Sequence, residues 1–385
     1  MKPIKIVYCT PSLYIPGGVE RVLTTKANYL ADVMGYDVSI ILTDGTGKEP
    51  FYPLSDKVKL IQLNIGFEEL WPLPFLQKIT LYLKKQRLYR KRLTETLMEL
   101  RPDITVSLLR REINFLTSIP DGSRKVGEMH VNRKHYRNFE TDGSPAKRLF
   151  ASLWQKQLLR NLKRLDRFVV LTEDDRLNWP ELNNVEAIPN PLPHFPGKCA
   201  PLTSKRAIAV GRYVYEKGFD LLIQAWRLVA DLHPDWQLHI YGAGERESYE
   251  EMVRTKHLEE QIVCHPATGD IHRHYADSSL YVCSSRFEGF GMVLAEAMSC
   301  GLPCVSFDCP FGPKNIIRHE TDGLLVPNGE TKQLADQIVR LIENPQERSE
   351  MGQKARENIA RLKVENIMNE WDRLFKRLTT QYNPQ

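Results

Sequence analysis

The chain is expected to be an α/β protein built from two doubly wound parallel-sheet domains in tandem. Three observations lead there. At 385 residues it exceeds what one ordinary core holds. Short apolar runs alternate with amphipathic helical stretches, the rhythm of parallel strands joined by crossover helices. That rhythm stops once, in a proline-rich segment, and then begins again.

Taken in order, IKIVYCT reads as a buried strand, and a loop with Gly17 and Gly18 follows it. VERVLTTKANYLADVMG has the three-to-four spacing of a helix and stops at Gly35. YDVSIILT, KLIQLNI, DITVSLL, RKVGEMH and RFVVLTE continue as strands, with helical material between several of them. Near Ile188 periodicity fades into IPNPLPHFPGKCAPLTS, which has the composition of a linker. RAIAVGR, WQLHIYG, QIVCHPA, SSLYVCSS, LPCVSFD and GLLVP are the strands of the second half, separated by helices such as GFDLLIQAWRLVADLHP. Two Rossmann-like halves are the simplest account. The expected boundaries are 1–188 for the first domain, 189–204 for the hinge and 205–365 for the second domain. A terminal helix over 366–385 is expected to pack back on the first.

A hydrophobic content of 42% with 26% charged residues belongs to a soluble globular protein. A formal charge of +5 is mild at this length, so no nucleic-acid partner is expected, while anionic ligands or an anionic membrane surface remain compatible. The seven cysteines are odd in number and lack framework spacing, and Cys9, Cys283 and Cys304 sit in apolar runs. None pairs at zinc-ligand spacing with histidines nearby, so a reducing cytoplasm and no structural metal are expected. The N-terminal stretch is interrupted by Pro11 too early for a signal peptide, and no apolar run has bilayer length.

The segment SSRFEGFGMVLAEAM, from Ser284 to Met298, carries the chemistry. A strand ends, Gly289 and Gly291 let backbone approach closely, and a helix begins near Met292. A helix N-terminus offers unpaired N–H groups and partial positive charge, which suits a diphosphate. Glu296, among Val, Leu, Ala and Met, is costly to bury without a donor, and ribose hydroxyls are such donors. Glu288 in the loop could accept from the hydroxyls of a sugar beyond the phosphates. The alternative is that Glu288 caps a helix and Glu296 emerges on a solvated edge.

The Glu288–Glu296 spacing within EGFGMVLAEAMSCGLPCV resembles the signature of retaining glycosyltransferases of GT-B fold, family 4. AVGRYVYEKGFDLLIQAW, HIYGAGER, IPNPLP and TDGLLVPNG resemble further elements of that family in the right order. The similarity covers the C-terminal half well; the N-terminal half matches through PGGVER and GEMH. The resemblance implies two Rossmann-like domains facing a deep cleft, with a nucleotide-sugar donor, UDP-linked, as co-substrate and no metal. Arg212 and Lys217 would clamp the donor diphosphate. Phe290, Gly291 and Met292 would offer backbone N–H groups, Glu288 would bind the donor sugar and Glu296 the ribose. Pro266 to Ile271 would lie near the nucleobase. His130 would face the sugar from the acceptor side, its alternative being a structural role. Gly17 and Gly18 would let backbone approach phosphate or acceptor, or form a plain flexible loop. Where many family members carry a glutamate after LPCVSFD, this sequence has Lys314 and Asn315. It also lacks an Asp-x-Asp metal site. GAGERE imitates a dinucleotide fingerprint, but Glu247 stands where the third glycine belongs.

Two basic stretches, 70–93 and 146–165, mix Lys and Arg with aromatic and leucine residues. Such helices can lie on an anionic bilayer, so peripheral contact with the inner face of the cytoplasmic membrane is one reading; ordinary amphipathic surface helices are the other. The function expected is transfer of a hexose or N-acetylhexosamine to a lipid-linked or polysaccharide acceptor in surface-glycan assembly. A GT-B nucleotide-sugar epimerase and a non-catalytic nucleotide-sugar-binding protein are the rivals.

Overall fold

The computed structural model describes residues 2–131, 133, 136, 145–310 and 312–380. The chain divides into two compact units, residues 1–193 with 364–385, and residues 194–363.

Unit 1 holds a seven-stranded sheet, every pairing of which is parallel. Its strands are β1 (Lys5–Thr10), β2 (Asp37–Leu42), β3 (Lys59–Gln62), β4 (Ile104–Ser107), β5 (Arg124–Glu128), β6 (Arg167–Val170) and β7 (Val185–Ala187). Its helices in the first part of the chain are α1 (Gly18–Asp32), α2 (Phe75–Leu100), α3 (Pro145–Lys163) and α4 (Glu173–Leu177). The central strands are continuous apolar runs because both faces of a parallel sheet are covered; β1 is buried from Ile6 to Thr10. On one face, Leu93 and Leu97 of α2 pack against Val7, Cys9 and Ile41. Three-residue β7, half-buried and abutting the proline-rich segment, gives no periodic signal in the sequence.

Unit 2 holds a six-stranded parallel sheet: β8 (Arg206–Val210), β9 (Gln237–Gly242), β10 (Ile262–Pro266), β11 (Leu280–Cys283), β12 (Cys304–Asp308) and β13 (Gly323–Pro327). Around it lie α5 (Phe219–Leu232), α6 (Glu247–Thr255), α7 (Ile271–Ala276), α8 (Met292–Ser299), α9 (Thr331–Glu343) and α10 (Pro345–Ile359). Helix α5 follows its pattern: Phe219, Leu222, Ile223, Trp226, Val229 and Ala230 recur on one side and are buried. The charged tail of the sequence is two helices. A 3-10 turn over Ala360–Leu362 and an extended Lys363 end the α10 run, and α11 (Val364–Thr380) then packs against α1 in unit 1.

Strand order is β3-β2-β1-β4-β5-β6-β7 in unit 1 and β10-β9-β8-β11-β12-β13 in unit 2. Both are the doubly wound order, so the expected fold class is the one found. In each sheet successive crossovers run outward from one central pair, β1/β4 or β8/β11. The connections leaving the carboxyl ends of that pair diverge, and the crevice between them is where such sheets take ligands.

Candidate functional site

In unit 2 the loops after β8 and β11 meet at that crevice. The first runs Gly211-Arg212-Tyr213-Val214, then a 3-10 turn Tyr215–Lys217, then Gly218. Gly218 sits at φ 62°, and a Cβ there would lie 2.1 Å from the Ser284 carbonyl oxygen, so only glycine lets the loops touch. Ser284 Oγ donates to the Lys217 carbonyl (2.9 Å) and the Arg286 N–H to that of Glu216 (2.8 Å). The Arg286 guanidinium grips Asp220 in bidentate fashion at 2.8 and 2.6 Å.

This stitching brings Lys217 Nζ to 2.6 Å from Glu288 Oε1, with both side chains largely buried. Burial works against the Lys217 ammonium, but the adjacent Glu288 carboxylate outweighs it and holds the amine above its ordinary pKa. Ser285 Oγ donates to the same oxygen at 2.6 Å. Arg212 lies exposed in the first loop, five residues before Lys217. Sequence reasoning named Lys217, Glu288 and Arg212 but missed Ser285, Asp220 and Arg286. Nothing in the sequence joins Asp220 to Arg286.

Helix α8 starts beside this pair. Gly291 is its N-cap at φ 93°, a left-handed conformation, with no side chain capping the helix; the Leu294 N–H already donates to the Gly291 carbonyl at 3.0 Å, which leaves those of Met292 and Val293 to face a ligand. Gly289 is half-buried, Phe290 and Gly291 are buried, and Met292 begins the helix half-exposed. Glu296 lies in the second turn and is only 2% exposed. Pro266 ends β10 and is exposed, while half-buried Ile271 opens α7. The tie between β10 and the Arg212 loop is Tyr213, another residue the sequence did not single out. Its hydroxyl donates to the carbonyls of Ile240 (2.8 Å) and His265 (3.0 Å).

The remaining expected residues belong to unit 1. His130 follows β5, with Nε2 3.3 Å from Glu128 Oε1. Neither of its ring nitrogens, both buried, forms a hydrogen bond among the described residues. Glu128 is itself paired to Lys26 of α1, whose Nζ lies 2.6 Å from both carboxylate oxygens. Gly17 is the N-cap of α1 and Gly18 its first residue. Neither has a positive φ, and a Cβ on Gly18 would meet nothing within 4 Å. The described residues contain no group of three or more His, Cys, Asp or Glu able to hold a metal ion, and no helix long and apolar enough to cross a membrane. Side chains of 146–151 in the second basic stretch lie outside the described residues.

Comparison with known proteins agrees with this architecture. Residues 195–358 match the family described as glycosyl transferases group 1. An uncharacterised glycosyltransferase of Haemophilus influenzae is 31% identical over 373 residues, 95% of this chain and 98% of that protein. A poly(ribitol-phosphate) α-N-acetylglucosaminyltransferase of Staphylococcus aureus is 31% identical over 264 residues, 66% of this chain and 51% of that one. The crystal structure of S. aureus TarM with fondaparinux, α-GlcNAc-glycerol and UDP matches 97% of this chain and 99% of its own, with a TM-score of 0.76 at 19% identity. That likeness is one of fold, the GT-B fold. The near-complete coverage of the Haemophilus relative settles the family: this chain belongs to the group 1 glycosyl transferases and is a glycosyltransferase.

Proposed function

We propose that this enzyme is a retaining transferase of the family 4 kind. It would move a hexose or N-acetylhexosamine from a UDP-sugar, bound in the crevice of unit 2, to a lipid-linked or polysaccharide acceptor in cell-surface glycan assembly. The observation that carries the reading is the buried Lys217–Glu288 contact at 2.6 Å, set beside the N-terminus of α8 at the topological switch point. A desolvated ammonium stays charged there because a carboxylate holds it. An arriving diphosphate offers Lys217 a stronger anionic partner and releases Glu288 to accept from sugar hydroxyls. Arg212 and the first-turn N–H groups of α8 complete the cradle, and Glu296 serves the ribose.

In the reaction, the bond between the anomeric carbon and the diphosphate oxygen breaks. A bond from that carbon to the acceptor oxygen forms on the same face, and the acceptor's hydroxyl proton passes to the departing diphosphate. Lys217 and Arg212 meet the charge that the leaving group gains, so the proposal needs neither a metal nor a covalent carboxylate. One feature of the structural neighbours supports the donor: UDP is bound in the TarM structure.

A thermal-shift panel of UDP-, GDP- and ADP-sugars tests the reading, since a ligand at a hundred times its Kd stabilises by about 2.7 kcal/mol. The UDP-sugar should stabilise most. Lys217→Ala and Glu296→Ala should weaken that stabilisation, while Glu288→Ala should chiefly slow transfer. Indifference of the protein to all three nucleotides, or unchanged behaviour of all three variants, overturns the site. Donor incubated without acceptor should give no epimer.

A further inference from the structure

Unit 1 has a crevice of its own at the β1/β4 switch point, and it contains a cavity of about 530 Å³. We propose that this cavity seats the acceptor's saccharide, and that the acceptor is a sugar joined through a diphosphate to a polyprenyl-type lipid. The inference rests on the glycosyltransferase reading above and adds the chemistry of the second substrate.

The cavity wall is polar and rigid on one side. Asp44, after β2, is buried and its Oδ1 accepts from the Glu68 N–H at 3.2 Å. Glu68 Oε2 accepts from the Tyr14 hydroxyl at 2.7 Å. Fixed carboxylates of this kind receive sugar hydroxyls, and the aromatic side chains of Trp71 and Tyr82 line the same cavity. Arg110 and Arg111, at the end of the loop after β4, line the cavity, and arginine is the preferred side chain for phosphate.

A second cavity of about 310 Å³ adjoins the first and shares Trp71, Tyr82 and Arg111 with it. Its other walls are Phe67, Leu70 and Ile79, with Lys78 the further charge. The Arg111 guanidinium lies 4.3 Å from the centre of the Phe67 ring, which fixes a cation on the seam between the polar and apolar compartments. The groove walls Trp71 (67% exposed) and Ile79 (42%) are open to the surface, and one turn on from Ile79 along α2 come Leu83 (51%) and exposed Lys84 and Arg87. The sequence of compartments is therefore hydroxyl-binding pocket, cationic seam, apolar groove and basic apolar face. It complements a sugar, a diphosphate, an isoprenoid and an anionic bilayer in the same order. A water-soluble phosphorylated glycan would use the seam and leave the groove empty.

Calorimetry with three probes distinguishes these cases: N-acetylglucosaminyl diphosphate esterified to farnesol, the same sugar diphosphate as its methyl ester, and a glycerol-phosphate oligomer. Burying even part of the farnesyl chain should tighten binding about tenfold or more over the methyl ester. Ile79→Ser, in the apolar groove alone, should cut that increment and leave methyl-ester affinity unchanged, whereas Arg110→Gln with Arg111→Gln should weaken both esters at least about tenfold. Equal affinity for the two esters, or an oligomer binding as tightly as the farnesyl ester, overturns the proposal. So does unchanged affinity in the arginine variants. The UDP-induced melting shift, recorded on every variant, reports folding and the donor site. A retained shift with no farnesyl-dependent binding sinks this inference alone, and loss of the shift in the wild type strikes the donor reading instead.

Discussion

Lys26 is 1% exposed and Glu128 2%, deep inside unit 1, and neither charge reaches water. The pair survives there because both carboxylate oxygens lie 2.6 Å from the ammonium, and the indole of Trp371 covers that ammonium at 3.5 Å from the ring centre. Burial alone would raise the Glu128 carboxyl, but Lys26, and His130 after it, hold it down to about 2. A depressed carboxyl contributes stability that is complete above its ordinary value of 4.5 and is lost as pH falls toward about 2. Glu128→Gln should therefore destabilise the protein by about 3–5 kcal/mol at neutral pH, since it leaves a buried ammonium uncompensated. In urea unfolding, the gap between wild type and variant should narrow as pH is lowered through that window. A gap of constant size across it would show that the pair is not what stabilises the fold.

At the scale of elements, the crevice of unit 2 depends on a turn that no side chain can occupy. Gly218→Ala would add a Cβ 2.1 Å from a backbone oxygen in a left-handed residue, so it should destabilise by more than about 2 kcal/mol and impair UDP-sugar binding. Gly18→Ala, at the open start of α1, is the control and should be neutral or stabilising by up to about 1 kcal/mol. If melting temperatures show the two variants to be alike, backbone contact is not what joins the loops. The contrast also marks what the sequence discloses. Strands such as β8 and β11 are legible as apolar runs with turn residues after them, and Glu288 and Lys217 through the resemblance of their segments to the family's motifs. The contact of Gly218 with Ser284, the Asp220–Arg286 pair and the Lys26–Glu128 pair join residues 66 or more positions apart, and periodicity carries no information at that range. Arg110 and Arg111 were hidden for a different reason. They follow a short strand with no recognisable motif, and only the order of strands in the sheet brings them to the crevice.

Across the whole molecule, the two units differ in how the chain supplies them. Unit 2 is one continuous segment with its own core, centred on residues such as Trp226, Phe307 and Leu334. Unit 1 is discontinuous and is completed only by α11. That helix buries Ile367, Met368, Trp371, Leu374, Phe375 and Leu378 along one side. Tyr36 donates to Asp372 Oδ1 at 2.6 Å, and Arg377 donates to Glu186 of β7, also at 2.6 Å. Each large apolar side chain contributes about 1.5–3 kcal/mol when buried, so six together rival the ~5–15 kcal/mol that stabilises a whole domain. Trp371 is also the aromatic lid on Lys26, so its loss exposes the buried pair as well. Truncation after Lys363 should therefore abolish the unfolding transition of unit 1 and spare that of unit 2. Scanning calorimetry of the truncated chain should show one remaining transition, still raised by UDP-sugar because the proposed donor crevice lies wholly in unit 2. A truncated chain that melts like the full-length protein would mean α11 is dispensable. One that keeps a transition insensitive to UDP-sugar would mean the crevice of unit 2 does not hold the donor by itself.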